Sequence, residues 1–71
     1  MHDATPAERL KAYREQARLS QKGMGHALGL DQSSVSRIES GRQEPGGSTV
    51  IMLGLFESGT LSPRDVLRQD W

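Results

Sequence analysis

The sequence predicts an all-α protein, a compact five-helix bundle that takes in residues 1–71 as a single domain. Three observations lead there. Residues that cap helices stand at five places, at Thr5, Ser20, Asp31, the Ser48-Thr49 pair and Ser62. Glycines suited to ending helices follow at Gly29, Gly41 and Gly59. Between these signals the apolar residues recur at three- and four-residue intervals, the period of a helix with one buried stripe.

Residues 1–4 read as a frayed segment, with His2 unsupported by any second metal ligand. Thr5-Pro6-Ala7-Glu8 then opens the first helix: threonine caps it, proline takes the first helical position, and glutamate at the third closes a capping box. This helix is expected to run to about Arg18, with Leu10, Tyr13, Arg14 and Ala17 along one stripe and Leu19 completing it. Arg9, Lys11, Glu15 and Arg18 fall on or near the solvent side. Ser20 caps the second helix, QKGMGHAL, whose Met24, Ala27 and Leu28 share one side; Gly29 ends it by entering the left-handed conformation without steric cost. Gly23 and Gly25 weaken it, each by about 0.5 to 1 kcal/mol relative to alanine. The second helix should therefore be short and held by packing. His26 lies beside the core position Ala27 and is expected in solvent, because no converging ligands are spaced for a metal or a catalytic role.

Leu30 is a single apolar residue placed to plug the angle between the second helix and the third. Asp31 caps that third helix, Gln32 to Ser40, which turns Val35 and Ile38 inward and leaves Gln32, Ser33, Ser36 and Arg37 pointing away. The run Ser40-Gly41-Arg42-Gln43-Glu44-Pro45-Gly46-Gly47 is a loop by every breaker signal, with Gly41 left-handed, Arg42 projecting beside the third helix and Glu44 pointing away. Ser48 or Thr49 caps the next helix, VIMLGLFES, which is apolar nearly all round. Val50, Leu53 and Phe56 can face the core while Ile51, Met52 and Leu55 serve a second subunit. Ser62-Pro63-Arg64-Asp65 starts a fifth helix, whose apolar side is Val66, Leu67 and Trp71. A tryptophan there packs on its own domain or on a partner, and the partner is favoured. The dimerisation segment is thus expected over about residues 48–71.

The string S-Q-x-x-M-x-x-x-L-G-L-D-Q-S-S-V-S-R-I-E-S-G, from Ser20 to Gly41, resembles the Cro and phage-repressor type of helix-turn-helix proteins, the XRE family, and the likeness extends over roughly residues 9 to 60. Gly25 stands where that family usually has alanine. The resemblance implies a lambda-repressor-like fold and a third helix that enters the major groove of double-stranded DNA. There glutamine pairs with adenine and arginine with guanine, each bidentately, so Gln32, Ser33, Ser36 and Arg37 become base readers, with Gln32 and Arg37 carrying the discrimination. Phosphate contacts fall to Ser20, Gln21, Lys22, Ser34 and Arg42. The free amides and partial positive charge at the second helix N-terminus suit a phosphate oxygen, though Ser20 would cap in any protein. The family also implies an ion pair between Arg14, the charged residue in an apolar stripe, and Glu39. A guanidinium forks onto a carboxylate and locks the first helix to the third. A direct phosphate contact by Arg14 is the alternative.

Charge at first argues against a nucleic-acid partner, because nine basic residues balance nine acidic ones. Distribution answers the objection. From Arg9 to Arg42 seven basic residues face three acidic ones, a surplus of four that the remainder cancels. One basic face and an acidic remainder give a local field that the total conceals. A solvated surface with scattered arginines is the plainer account of the same charges.

Without cysteine there is no disulfide and no cysteine-based zinc site, and a chain of this size buries only about 60% of its extended surface, so association would help it. No apolar run approaches the roughly 20 residues that span a bilayer, and the N-terminus does not read as a signal peptide. A cytoplasmic protein is expected. Two isolated histidines and no clustered carboxylates leave no nucleophile and base pair to propose, so neither an enzyme nor a cofactor is expected. The expected function is sequence-specific regulation of transcription, as repressor or autoregulator, by a homodimer on a palindromic operator. The alternative is a protein-interaction module, an antitoxin or anti-activator that grips a protein partner with apolar helix 49–57.

Overall fold

Five helices, and no strand among the described residues, make up the computed structural model, which describes residues 4–67. They are α1 (Pro6–Gln16), α2 (Gln21–Leu28), α3 (Gln32–Glu39), α4 (Gly47–Glu57) and α5 (Pro63–Leu67). Trp71 and His2 lie outside the described residues, as does the part of segment 48–71 beyond Leu67.

The caps set most of the boundaries. Thr5 and Glu8 close a capping box, the Glu8 amide donating to Thr5 Oγ1 at 3.2 Å and the Thr5 amide to Glu8 Oε1 at 2.9 Å. Ser20 Oγ accepts from the Gly23 amide at 2.9 Å, and Asp31 Oδ1 from the Ser34 amide at 2.7 Å. Gly29 ends α2 at φ 75° and Gly41 turns the chain after α3 at φ 79°.

Two boundaries depart from expectation. α1 stops at Gln16, not near Arg18, because Arg18 itself takes the left-handed conformation at φ 60°. The reversal is fastened by the Leu19 amide, which donates to the Arg14 carbonyl at 3.0 Å. At α4 neither Ser48 nor Thr49 is the cap. Gly46 is, with no side-chain hydrogen bond, and the helix begins at Gly47. Thr49, Leu53 and Phe56 lie on the buried side of the helix, and Val50 is half-buried.

The core is Leu10 from α1, Met24 and Ala27 from α2, Val35 and Ile38 from α3, and Leu53 and Phe56 from α4. Tyr13, Leu19, Leu28, Leu30, Met52, Leu61 and Val66 pack around it, and the rings of Tyr13 and Phe56 stack with centroids 6.0 Å apart. α2 and α3 make the most intimate pair, which Gly25 explains. A Cβ there would stand 2.6 Å from the Leu30 carbonyl oxygen and 3.3 Å from that of Asp31. The residue that weakens α2 by propensity is what lets the turn fold back onto it.

Candidate nucleic-acid interface

The outer face of α3 is built by what its inner face buries. Val35 and Ile38 are fully enclosed, and helical spacing then turns Gln32, Ser33, Ser36 and Arg37 to the exterior, where all four are exposed. Together with Gln21 from α2 and Arg42 from the following loop, they line one shallow hollow on the surface. The residues expected to read bases and two of those expected to hold phosphate therefore share a single concave patch. Ser20, Lys22 and Ser34, the other phosphate candidates, do not line it. Ser20 and Lys22 are exposed at the start of α2, and Ser34 is half-buried.

Beneath the patch lies the ion pair that holds α3 in place. Arg14 Nε donates to Glu39 Oε2 at 2.6 Å and Nη2 to Oε1 at 3.1 Å, a forked arrangement, while Nη1 donates to the Leu19 carbonyl at 3.0 Å. The side chains are only 14% and 5% exposed, so Arg14 is not free to touch a phosphate. Its hydrogen bonds to Glu39, more than the opposing effect of burial, raise its pKa. Gln21 joins the same carboxylate, Nε2 donating to Glu39 Oε1 at 3.2 Å. One Nε2 proton of Gln21 is thus engaged with Glu39, while the residue still lines the hollow.

Arg37 is held by neutral groups. Its Nε donates to Gln43 Oε1 at 2.9 Å and its Nη2 to Ser34 Oγ at 3.4 Å, and no carboxylate pairs with it among the described residues. Ser34 thus braces Arg37 through its hydroxyl and caps through its amide. The Asp31 carboxyl is held below the usual range first by that Ser34 amide, with a smaller contribution from the charge of Arg37. Arg42, which lines the patch, and Lys22, next in sequence to Gln21, are exposed cations. Sequence reasoning did not find Gln43, whose part depends on the loop folding back over the end of α3.

Elsewhere the sequence expectation for Arg9 is revised. It is not simply a solvent-side charge, since its Nε donates to both Glu57 carboxylate oxygens at 3.2 Å and so ties α1 to α4. Nothing between the two residues announces that contact, which spans 48 positions. On α4 and α5, Ile51 is 67% exposed and Leu67 42% exposed, Leu55 is half-buried, and Met52 packs against the edge of its own core. No group of three or more possible metal ligands occurs among the described residues, and no helix there is long and apolar enough to cross a membrane.

Comparison with curated proteins and with solved structures returned no match. Comparison with protein families did: the model of the family described as "Helix-turn-helix domain" matches residues 7–68. That span takes in α1 from its second residue, α2 to α5, and the whole patch just described. The chain belongs to the helix-turn-helix domain family, and that membership points to a DNA-binding regulator.

Proposed function

We propose that this protein is a sequence-specific transcriptional regulator, a repressor or autoregulator of the XRE type, that binds a palindromic operator in double-stranded DNA as a homodimer in the cytoplasm. The observation that carries the proposal is the shared hollow in which Gln32, Ser33, Ser36 and Arg37 lie open beside Arg42. α3 offers them on a rigid element, because Val35 and Ile38 anchor its other side and Glu39 is clamped to Arg14. Gln32 and Arg37 discriminate bases, and the two serines supply adaptable hydrogen bonds. Lys22, Arg42 and the α2 amides position the backbone phosphates. One copy makes few contacts. Two copies related by a dyad place their α3 helices in successive major grooves, with half-sites about 34 Å apart. Ile51, Leu55 and Leu67 are the apolar residues offered to the second copy, with Met52 at their margin and Trp71 as the remaining candidate. Neither catalysis nor a cofactor belongs to this mechanism.

The test is a titration of the protein with the duplex upstream of its own gene and with random duplex, each at two salt concentrations. Arg37→Ala is expected to relax preference at one base pair of each half-site, by about 1 to 3 kcal/mol. Arg42→Ala should weaken all sequences alike and flatten the salt dependence by about one phosphate. Equal losses by both variants on cognate and random duplex would refute the division of roles. The second reading, a protein-interaction module such as an antitoxin, is favoured only by the 67% exposure of Ile51 on an apolar helix. It gains if the wild type shows no sequence preference at either salt concentration.

A further inference from the structure

Arg37 and Gln43 touch each other twice. The side chains meet through Nε and Oε1 at 2.9 Å, and the Gln43 backbone amide donates to the Arg37 carbonyl at 3.2 Å. The Arg42 amide donates to the same carbonyl at 2.8 Å. Gly41, at φ 79°, makes this return possible, since few other residues adopt that conformation without strain. The loop after α3 therefore wraps around the last turn of the helix and delivers Gln43 to the guanidinium six positions earlier. Gln43 is half-buried and lines, with Pro6, Ala7 and Pro45, a small hollow between the loop and the start of α1. Its position is thus set by the backbone hydrogen bond as well as by the side-chain contact.

A guanidinium carries five N–H donors in a planar fork, and it can meet a base in two ways. The side edge uses Nε and Nη2; the end uses Nη1 and Nη2. In this protein Gln43 occupies Nε and Ser34 takes one donor of Nη2, so the side edge is engaged within the protein. The end remains. Both acceptors are uncharged, which orients the group without neutralising it. A carboxylate in place of Gln43 would orient Arg37 equally well but cancel the charge that draws it to DNA.

We infer that Gln43 is the positioning residue that sets base selection by Arg37, holding the guanidinium so that only its end meets the major-groove edge of a base pair, O6 and N7 of guanine. The inference rests on the DNA-reading role proposed above and adds to it a residue that needs no contact of its own with a base. Fixing the side chain beforehand removes the ordering cost that a mobile arginine would meet on binding, and it narrows the geometries the arginine can accept.

The experiment measures binding of the wild type, Arg37→Ala, Gln43→Ala, Gln43→Glu and Arg37→Ala/Gln43→Ala to a selected duplex, to duplexes changed at each base pair, and to random duplex. Gln43→Ala should reduce discrimination by about fivefold at the base pair that Arg37→Ala relaxes, and leave random-duplex affinity within about twofold. In the Arg37→Ala background the same change should have no further effect there, the signature of two residues acting as one. Gln43→Glu restores an acceptor, so it should recover the discrimination while binding every duplex more weakly. Nuclear magnetic resonance of the DNA-free protein gives a separate readout: solvent exchange of the Arg37 Nε proton should speed up in Gln43→Ala and not in Gln43→Glu. Additive losses, a uniform loss on all duplexes in Gln43→Ala, no change in that variant's discrimination, or no recovery of discrimination with glutamate overturns the inference. If Arg37→Ala itself alters no base preference, the base-reading role fails and this inference with it. If Arg37→Ala does and Gln43→Ala does not, only the inference fails.

Discussion

Glu39 accepts hydrogen bonds from both Arg14 and Gln21 in a pocket that leaves its side chain 5% exposed. Replacing it strands a guanidinium largely out of water, a loss of about 3 to 5 kcal/mol for a buried pair broken on one side. Glu39→Ala should therefore lower the midpoint of urea unfolding sharply, and a near-neutral change would show that solvent reaches Arg14 more freely than its burial indicates. This pair was legible in the sequence, because a charged residue inside an apolar stripe asks for a partner and the helix-turn-helix resemblance supplied one. The third member was not. Gln21 reads as an exposed residue at a helix start, and only the packing of α2 against α3 carries the carboxylate to it. Gly25 was misjudged for a related reason: propensity sees a missing side chain, whereas the 2.6 Å approach of the Leu30 carbonyl belongs to the turn that follows.

Helices whose first turn is held by a side-chain oxygen are the ones whose starts the sequence places correctly, namely α1, α2, α3 and α5. α4 is capped by Gly46, which has no side chain to announce it, so the more conspicuous Ser48 and Thr49 drew the boundary inward. The end of α1 was hidden by Arg18, a residue whose left-handed backbone nothing in its chemistry foretells. A cap that is a carboxylate also makes its helix sensitive to acid. The Asp31 carboxyl is held below the usual aspartate range by the Ser34 amide, so its folded pKa lies under its unfolded one. The stability this contributes is present above the ordinary aspartate range and lost as pH falls through the lowered folded value. Asp31→Asn keeps a capping oxygen without a titrating proton. Thermal melts of that variant should decline less steeply toward acid than those of the wild type; parallel declines would remove Asp31 from the acid response. Glu8 is lowered in the same sense by Thr5 and titrates in both proteins, which leaves the comparison clean.

At the scale of the molecule, the zero net charge resolves into pairs and an unpaired remainder. Arg9 with Glu57 and Arg14 with Glu39 cancel locally, while Lys11, Arg18, Lys22, Arg37, Arg42 and Arg64 have no acidic partner within ion-pair distance among the described residues. Of these, Arg37 and Arg42 line the hollow at α3. The exposed apolar residues Ile51 and Leu67 mark where a second copy is proposed to sit. If it does, Ile51→Glu should shift sedimentation toward the monomer and weaken specific binding far more than random-duplex binding; an unchanged sedimentation profile would exclude α4 from the interface. The central claim is that the α3 edge, and not the α4 side, meets the duplex. Titrating isotopically labelled protein with duplex DNA while following backbone amide shifts tests this most directly. The account predicts that the largest changes fall on Gln21, Lys22, Gln32, Ser33, Ser36, Arg37 and Arg42. Changes concentrated on Ile51, Leu55 and Leu67, with α3 silent, would contradict it.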